Sequence, residues 1–273
     1  VKNNVFGTFF IAKLALNYNV SNFVLISSDK AVRPTNIMGV SKKLAEICVQ
    51  SLYHNKDNNS KFAIVRFGNV LQSSGSVIPK FKKQIKKGGP VTLTHPDVTR
   101  YFMTVTEASQ LVIQAGAISE GCEVFVLDMG ESVKIKSLIY KMINLSGLTV
   151  KDSNNLNGDI EIKIIGLRPG EKLYEELLLG DDPKKTFHEK IQKAQDPFIP
   201  FNQLKKDLDD LKVLLEENRA ADVKDKLGKL IPAYQSNSNI VDHIYQERLN
   251  DRKQSKTFNE INNKDQKVIR IKT

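Results

Sequence analysis

The chain of 273 residues is long enough to bury a sizeable core in one large or two small domains. Its hydrophobic fraction of 40% and its charged fraction of 26% are those of an ordinary globular protein, and no apolar run approaches the length of a transmembrane helix. Two cysteines without C-x-x-C spacing and four histidines without metal-ligand spacing argue against a disulfide framework and a metal site. We therefore expect no metal and a reducing cytoplasm.

The net charge of +10 raises the question of a nucleic-acid partner. The densest basic cluster, at residues 80–87, is interleaved with Ile78, Phe81 and Ile85 at helical spacing. This pattern indicates the solvated side of an amphipathic helix, and no nucleic-acid motif accompanies it. We predict no nucleic-acid partner, and note that a positive field also suits a diphosphate substrate or an anionic membrane surface.

The first 75 residues alternate helical and strand patterns. The apolar run at 23–26 predicts a fully buried parallel strand, the periodic segment at 44–52 predicts a helix, and the apolar run at 62–65 predicts a second strand. The order helix, strand, helix, strand is half of a doubly wound parallel sheet.

Further along, shorter helical and strand patterns follow one another. They comprise two helical patterns around a short strand (76–120, with the strand at 91–94), a buried strand (124–127), a helix (134–146) and a strand (160–165). From about residue 200 the chain is charged and helical, with leucines along one face of 204–230. The stretch from 236, rich in Asn, Lys and Gln, predicts a flexible tail.

The stretch from Ser27 to Lys43 carries the densest chemical information. Ser28, Asp29 and Lys30 follow the first apolar strand, and open α/β sheets bind ligands at the carboxyl ends of their strands. Met38 and Lys42 lie four residues apart, on one face of the next helix. Polar side chains and a lysine are therefore expected to converge on one crevice.

This arrangement resembles the extended short-chain dehydrogenase/reductase family. Most members have Y-x-x-x-K where this chain has Met38 and, in register, Lys42. The triplet Ser28-Asp29-Lys30 resembles the Thr-Asp-Glu or Thr-Asp-Lys of nucleotide-sugar 4,6-dehydratases. Together, S-D-K and M-G-x-x-K are similar to one branch, the large bacterial UDP-N-acetylglucosamine 4,6-dehydratases of capsule and cell-surface glycan synthesis.

Other segments extend this resemblance from residue 1 to about residue 234. They are N-V-x-G-T at 4–8, R-x-G-N-V at 66–70, the substrate-side segments at 75–79 and 99–104, R-P-G-E-K at 168–172 and the segment at 229–234. The family's glycine-rich dinucleotide loop is not found in the chain. We therefore expect a fragment that begins in the second half of a Rossmann domain.

The resemblance implies an α/β fold, a partial Rossmann-like doubly wound parallel sheet with a smaller α/β substrate-binding part and a helical C-terminal extension. The expected division is 1–75 for the second half of the cofactor domain, 76–200 for the UDP-sugar-binding region with a returning strand near 124–128, 201–235 for the helical extension and 236–273 for the tail. Members of this branch carry N-terminal membrane helices. We expect the full-length protein to be cytoplasmic at the inner face of the bacterial membrane, attached only through a region outside this chain.

The resemblance also implies a reaction and roles within it. UDP-N-acetylglucosamine would be oxidised at C4, lose water across C5 and C6, and receive the hydride back at C6, with NAD or NADP as cofactor. Asp29 would be the acid at the C6 hydroxyl and Lys30 the base at C5, which requires an uncharged amine. Ser28 would bind the C4 oxygen or simply cap a helix. Lys42 would hold the nicotinamide ribose, with Ser27 and Phe67 also at the cofactor.

Met38 stands where a tyrosine would take the C4 hydroxyl proton, and a thioether cannot hold a proton. Either Asp29 or a water takes that role, with Asp29 favoured, or the site is inactive. We expect a homo-oligomer, because short-chain dehydrogenases often pair through the helix with Met38 and Lys42. The expected substrate-binding residues are Asn69, Ser76, Arg100, Arg168 and Glu171, with surface salt bridges as their structural alternative. The competing functions are a UDP-sugar 4-epimerase and a non-catalytic sugar-nucleotide-binding fragment.

Overall fold

The computed structural model describes residues 1–55, 59–71, 73, 76–178 and 183–235, so the predicted tail lies outside the described residues. A π-helical turn at Lys2–Gly7 leads into the first helix. The helices are α1 (Thr8–Asn17), α2 (Ile37–His54), α3 (Val77–Lys86), α4 (Val105–Ile118), α5 (Ile135–Leu145), α6 (Phe201–Glu216) and α7 (Ala220–Leu230). The strands are β1 (Asn22–Ile26), β2 (Lys61–Arg66), β3 (Asn69–Val70), β4 (Val91–Leu93), β5 (Thr99–Arg100), β6 (Phe102–Met103), β7 (Cys122–Leu127), β8 (Val133–Lys134), β9 (Val150–Lys151), β10 (Ile160–Ile164), β11 (Lys184–Lys185) and β12 (Ile191–Ala194).

The main sheet has the order β1-β2-β7-β12-β11. β1, β2 and β7 run parallel, with Phe23 opposite Phe62 and Val65 opposite Phe125, whereas β12 runs antiparallel to β7. β7, which contains the apolar run at 124–127, pairs with β2 in this sheet. β2 and β7 are continuous apolar runs and are buried, as expected for central parallel strands.

β1 departs from the prediction of a fully buried strand. It lies at the edge of the described sheet and pairs only with β2, so Ile26 is 50% exposed. The apolar run correctly predicted a parallel strand, but a run of four residues does not indicate whether a neighbour covers both edges.

Helices cover both faces of the sheet, which confirms the doubly wound arrangement. Phe62 and Ile64 of β2 pack with α1 and α2, while the alternate residues Ala63 and Val65 pack with α4. Successive side chains of a strand point to opposite faces, so each face of β2 contributes to a separate core.

A second core lies under the sheet β4-β10-β9 and is closed by α3 and α5. Phe81 and Ile85 of α3 are buried in this core, and the lysines between them face outward. The lysine-rich segment is therefore one side of an amphipathic helix, as predicted. This smaller α/β part is built from two stretches of the chain, with α3 and β4 before β7 and with α5, β9 and β10 after it.

The helical extension packs on α2. Leu204, Leu211 and Leu227 are fully buried against the stripe of α2 that contains Leu44 and Cys48. Burying a leucine side chain contributes about 1.5–3 kcal/mol, so the extension is a substantial part of the core.

The extension forms two helices rather than one run, because Asn218 adopts a left-handed backbone with φ 55° and ends α6. It covers α2 within the chain, and the expected homo-oligomer stays a prediction. No helix of the described ranges combines the length and the apolar content that crossing a membrane requires.

Candidate active site

The loop after β1 is bonded to the carboxyl end of β2. The Ser27 amide donates to the Val65 carbonyl at 2.8 Å, and the Asp29 amide donates to the Phe67 carbonyl at 3.1 Å. Ser28 caps a short 3₁₀ helix at Asp29–Ala31: its Oγ accepts from the Lys30 amide and donates to Asp29 Oδ1 at 2.8 Å. The capping alternative for Ser28 is thus present, and the same hydroxyl also contacts the predicted acid.

The Lys30 ammonium lies among three acceptors. Its Nζ is 3.0 Å from Asp29 Oδ1, 3.2 Å from Asn69 Oδ1 and 3.6 Å from Glu175 Oε1. Asp29 is fully buried, and its other oxygen, Oδ2, has no hydrogen-bond partner among the described residues. The predicted acid and base are therefore adjacent at the carboxyl end of β1, with one acidic oxygen unused.

Two glycines hold this loop close to its neighbours. A Cβ at Gly39 would lie 2.3 Å from the Lys30 carbonyl oxygen, so only glycine fits after Met38 in this packing. The Gly170 carbonyl accepts from Thr35 Oγ1 at 2.7 Å and from Asn36 Nδ2 at 3.0 Å. The R-P-G-E-K segment is thereby fastened across the start of α2.

A cavity of about 270 Å³ opens beside Lys30. It brings together five of the predicted site residues and one acid that was not predicted, Lys30, Met38, Arg100, Arg168, Glu171 and Glu175. A larger apolar groove of about 670 Å³ runs beside α1 and α6, but it shares no lining residue with this cavity and contains none of the predicted site residues. We place the chemistry in the smaller cavity.

Arg100 is buried and already paired. Its Nη2 lies 3.0 Å from Glu171 Oε1, its Nη1 donates to the Thr99 carbonyl at 2.6 Å, and its Nε lies 3.7 Å from Glu175 Oε1. Glu171 also accepts from Thr94 and from the Arg168 amide. The guanidinium of Arg100 therefore stabilises the carboxylates beside the cavity, and the carboxylate of Glu171 is engaged from several directions.

Arg168 lines the same cavity and makes no ion pair within the described part of the chain. Burial lowers the pKa of Lys80 and the nearby positive charge of Arg168 lowers it further, while the charge of Glu171 opposes the shift. Two cations are therefore close together near the cavity, with one carboxylate beside them, and paired cations suit the binding of a diphosphate.

Glu175 is the functional candidate that sequence reasoning missed. Its side chain is 4% exposed, and its Oε2 has no partner among the described residues. Burial raises the pKa of Glu175 and the charge of Asp29 raises it further, although Lys30, Arg100 and Lys172 oppose the shift. The sequence does show two consecutive glutamates, Glu175 and Glu176, shortly after R-P-G-E-K. It does not show which of the two side chains is buried.

The expected cofactor residues have separate surroundings. Lys42 Nζ donates to the Ile26 carbonyl at 3.1 Å, which places its amine at the carboxyl end of β1. The Ser27 hydroxyl instead donates to Glu46 Oε1 at 2.6 Å inside the protein. In this arrangement the Ser27 side chain is not free to bind a cofactor, because a buried carboxylate 19 residues later in the chain takes its hydrogen bond.

Phe67 and Ser76 lie outside the cavity lining. Phe67 packs against the core between the main sheet and α4, while its carbonyl holds the Asp29 amide. Ser76 is the N-cap residue of α3, and its buried Oγ has no partner among the described residues. The structure therefore brings neither side chain to Lys30.

A second ionic cluster lies next to the site, between β2 and α2. Glu46 bonds to Arg66 through both oxygens, at 2.8 and 2.5 Å, and Asp196 bonds to Arg66 and to Lys43. Burial alone would raise the pKa of Glu46, but the charge and hydrogen bonds of Arg66, with Lys43 and Ser27, hold it below its usual range. Through Ser27 this cluster anchors the loop that carries Ser28-Asp29-Lys30.

The family match and the similar known proteins agree on one protein family. Residues 1–196 match the family described as "Polysaccharide biosynthesis protein". The chain is 54% identical over 198 residues to the capsular polysaccharide biosynthesis protein CapD of Staphylococcus aureus, covering 71% of this chain and 31% of the relative. It is 57% identical over 178 residues to the probable polysaccharide biosynthesis protein EpsC of Bacillus subtilis, covering 65% of this chain and 28% of the relative.

More distant relatives and one solved structure agree. A UDP-glucose 4-epimerase of Rickettsia rickettsii is 33% identical over 187 residues, covering 68% of this chain and 52% of the relative. The crystal structure of Pen from Bacillus thuringiensis superposes with a TM-score of 0.63 at 35% identity, covering 72% of this chain and 60% of Pen. The chain spans about a third of the length of the two polysaccharide biosynthesis relatives. It belongs to the polysaccharide biosynthesis protein family, and the resemblance to capsule-type members of the extended short-chain dehydrogenase/reductase family is confirmed.

Proposed function

We propose that the protein is a nucleotide-sugar 4,6-dehydratase that acts on UDP-N-acetylglucosamine in surface polysaccharide synthesis. The observation that carries the proposal is the buried Asp29 beside Lys30 at the carboxyl end of β1. Elimination of water across neighbouring carbons needs an acid and a base a short distance apart, and these two side chains supply them. The family match to polysaccharide biosynthesis proteins supports the same reading.

The residues present fit the nicotinamide cofactor, NAD or NADP, that the resemblance implies. Lys42 places a cation at the carboxyl end of β1, where doubly wound sheets bind dinucleotides. The buried Asp29 Oδ2 has no partner in the described chain, so a bound group could donate to it. The cofactor would remove a hydride from C4 and return it to C6.

The proton transfers then fall to this chain's own residues. Asp29 accepts the proton of the C4 hydroxyl, since Met38 cannot, and later donates it to the departing C6 hydroxyl, which leaves as water. Lys30, as an uncharged amine, removes the C5 proton and finally returns a proton to C5. The Ser28 hydroxyl, which already bonds to Asp29, binds the C4 oxygen.

The uridine diphosphate is assigned to the cationic side of the cavity. Arg168 and Lys80 would contact the phosphates, and Asn69 would donate from its amide nitrogen while its oxygen holds Lys30. Arg100 and Glu171 are committed to each other, so they would shape the cavity and make fewer direct substrate contacts than the motif implies.

A UDP-sugar 4-epimerase is the second candidate, and the relatives named UDP-glucose 4-epimerase favour it. That reaction also oxidises C4 but needs no acid at C6, which leaves the Asp29–Lys30 pair unexplained. A non-catalytic sugar-nucleotide-binding protein is the third, and it is favoured by Met38 in place of the tyrosine and by the glycine-rich loop not found in this chain.

Mass spectrometry of the product separates these candidates. The longest reading frame that contains this chain would be expressed and incubated with UDP-N-acetylglucosamine and NAD or NADP. We expect loss of one water, abolished by Asp29→Asn and by Lys30→Ala and retained in the exposed controls Asp210→Asn and Lys212→Ala. An isomer of unchanged mass would establish epimerisation, and bound UDP-sugar without turnover would support the non-catalytic protein.

A further inference from the structure

The Lys30 amine is partly exposed to the cavity and is held by three neighbouring side chains. It donates hydrogen bonds to Asp29 and Asn69, and the carboxylate of Glu175 lies at an ion-pair distance of 3.6 Å. A lysine in this state cannot accept a proton from carbon. The role proposed for Lys30 therefore requires the ammonium to lose a proton first, and its three neighbours are the groups nearest to receive it.

The three acceptors differ in what they can hold. The amide oxygen of Asn69 is not a base at ordinary pH. Asp29 has to receive the C4 hydroxyl proton in the proposed reaction, and a carboxyl group that already holds the lysine proton could not do so. Glu175 is left, and its Oε1 lies 3.6 Å from Lys30 Nζ.

We propose that Glu175 takes a proton from Lys30 and holds it through the reaction, so that Lys30 works as a neutral amine. This inference rests on the proposed dehydratase function. One N–H bond of Lys30 breaks and one O–H bond forms on Glu175, and ammonium plus carboxylate become amine plus carboxylic acid. No other reactant is needed, and the pair keeps its net charge. The nitrogen-to-oxygen distance has to shorten by roughly 0.6 Å to reach ordinary hydrogen-bond length.

The surroundings of Glu175 favour the neutral acid. Its side chain is 4% exposed, and Oε2 has no donor within the described part of the chain, so the ionised form is poorly solvated. Burial is the main cause that raises the pKa of Glu175, and the negative charge of Asp29 adds to it. The charged groups that face it are Asp29, Lys30, Arg100 and Lys172, and the three cations oppose the shift without reversing it.

The proposed reaction is completed without a further transfer of the proton held on Glu175. Lys30 receives the C5 proton and gives a proton back to C5, so it ends as an amine. Asp29 receives one proton from the C4 hydroxyl and loses one with the leaving water. Glu175 is protonated at the start and at the end, and acts only through Lys30.

A direct test needs no turnover. In substrate-free protein labelled with ¹³C at the glutamate carboxyl, the resonance missing from Glu175→Gln identifies Glu175, and the one missing from Glu176→Gln identifies its half-exposed neighbour. We expect Glu175 to take up its proton at a higher pH than an ordinary glutamate carboxyl, because it is buried beside Asp29. A Glu175 that titrates within or below the ordinary glutamate range could not compete for the Lys30 proton, and would overturn the inference.

The kinetic test uses the pH dependence of water loss. In Glu175→Gln, Lys30 has to release its proton to solvent, so we expect about a hundredfold lower rate at neutral pH and partial recovery at alkaline pH. A residue that only supported the loop would lower the rate equally at every pH. Glu176→Gln keeps all three neighbours of Lys30 and should retain the original profile.

The two proposals fail in different ways. If the unaltered enzyme releases water and Glu175→Gln shows the same rate and pH profile, only the inference about Glu175 is wrong. If the unaltered enzyme does not release water, the dehydratase function is wrong, and the role of Glu175 in it is wrong as well.

Discussion

Two clusters in this protein contain the same four types of charged residue but differ in how completely their carboxylates are hydrogen-bonded. The closed cluster holds Glu46, Asp196, Arg66 and Lys43, and the open cluster, beside the cavity, holds Asp29, Glu175, Lys30 and Arg100. Both contain one Asp, one Glu, one Arg and one Lys in contact with one another, and Arg100 of the open cluster also pairs with Glu171.

The difference lies in how completely the carboxylates are bonded. In the closed cluster both oxygens of Glu46 have donors, and the pKa of Glu46 is held low despite burial. In the open cluster Asp29 and Glu175 each have an oxygen without a partner among the described residues, and burial raises the pKa of Glu175. In the closed cluster the atom left without a partner among the described residues is Nη1 of Arg66, a cation that holds its proton, whereas in the open cluster such atoms belong to carboxylates that can exchange protons.

The largest effect should come from breaking the closed cluster. Arg66→Met removes the guanidinium from two buried acids and leaves Lys43 to balance both, so we expect the free energy of unfolding to fall by about 3–5 kcal/mol. Denaturant titration measures this. Lys212→Ala, which removes an exposed pair on α6, should change it by less than about 0.5 kcal/mol. Equal losses in the two variants would remove the distinction between the clusters.

The open cluster should give the opposite result. Asp29→Asn should lower the rate of water loss by at least about a hundredfold, since the group that moves the proton is gone. Its free energy of unfolding should fall much less than that of Arg66→Met, because Oδ2 of Asp29 makes no bond that would be lost. Parallel rate and denaturation measurements on the two variants would reveal a mainly structural role for Asp29 if both quantities fell together.

Disturbing the attachment of the R-P-G-E-K segment to the start of α2 should have an intermediate effect. Gly170 has φ 71°, and an added Cβ would lie 2.8 Å from Asn36 Cβ and from the Thr35 carbonyl oxygen. We expect Gly170→Ala to weaken UDP binding about tenfold, measured by calorimetry, with strain on the order of 1–2 kcal/mol. Gly147→Ala has a similar φ of 73° but no neighbour within 4 Å, so it tests backbone strain alone and should leave UDP binding unchanged.

Lowering the pH should reduce the free energy of unfolding by a moderate amount, chiefly through the closed cluster. The pKa values of Glu46 and Asp196 are lowered by Arg66 and Lys43 against the effect of burial. Groups with lowered folded pKa values stabilise the protein above their unfolded pKa, and this contribution is lost as the pH falls toward the folded values. We expect a stability decline below about pH 4.5, with a slope of up to about 1.4 kcal/mol per pH unit for each carboxylate. Arg66→Met should flatten that decline in denaturation measurements made at several pH values.

The sequence predicted those features that depend on local pattern. β2 and β7 are long apolar runs, and Ser28-Asp29-Lys30 could be placed at a strand end from its neighbours in the chain. It did not predict the partners that come from far along the chain. Ser27 bonds to Glu46, and Glu175 reaches Lys30 from a segment without regular structure.

These misses have a common physical reason. Which of Glu175 and Glu176 turns inward depends on the packing of R-P-G-E-K against α2, and no periodicity in the loop records it. Likewise, the polar residue Glu46 on an apolar helix is indistinguishable from a solvated one until Arg66 is placed beside it. The cofactor and substrate assignments, including Lys42, Phe67 and Ser76, stay predictions.

The last helices have a practical consequence for the boundaries of the protein. The family match ends at residue 196, but Leu204, Leu211 and Leu227 complete the core on α2. A chain cut at that boundary would keep every proposed reacting group and still expose the stripe of Leu44 and Cys48 to water. Such a truncated protein would aggregate readily in solution, and its inactivity would be mistaken for evidence against the proposed reaction.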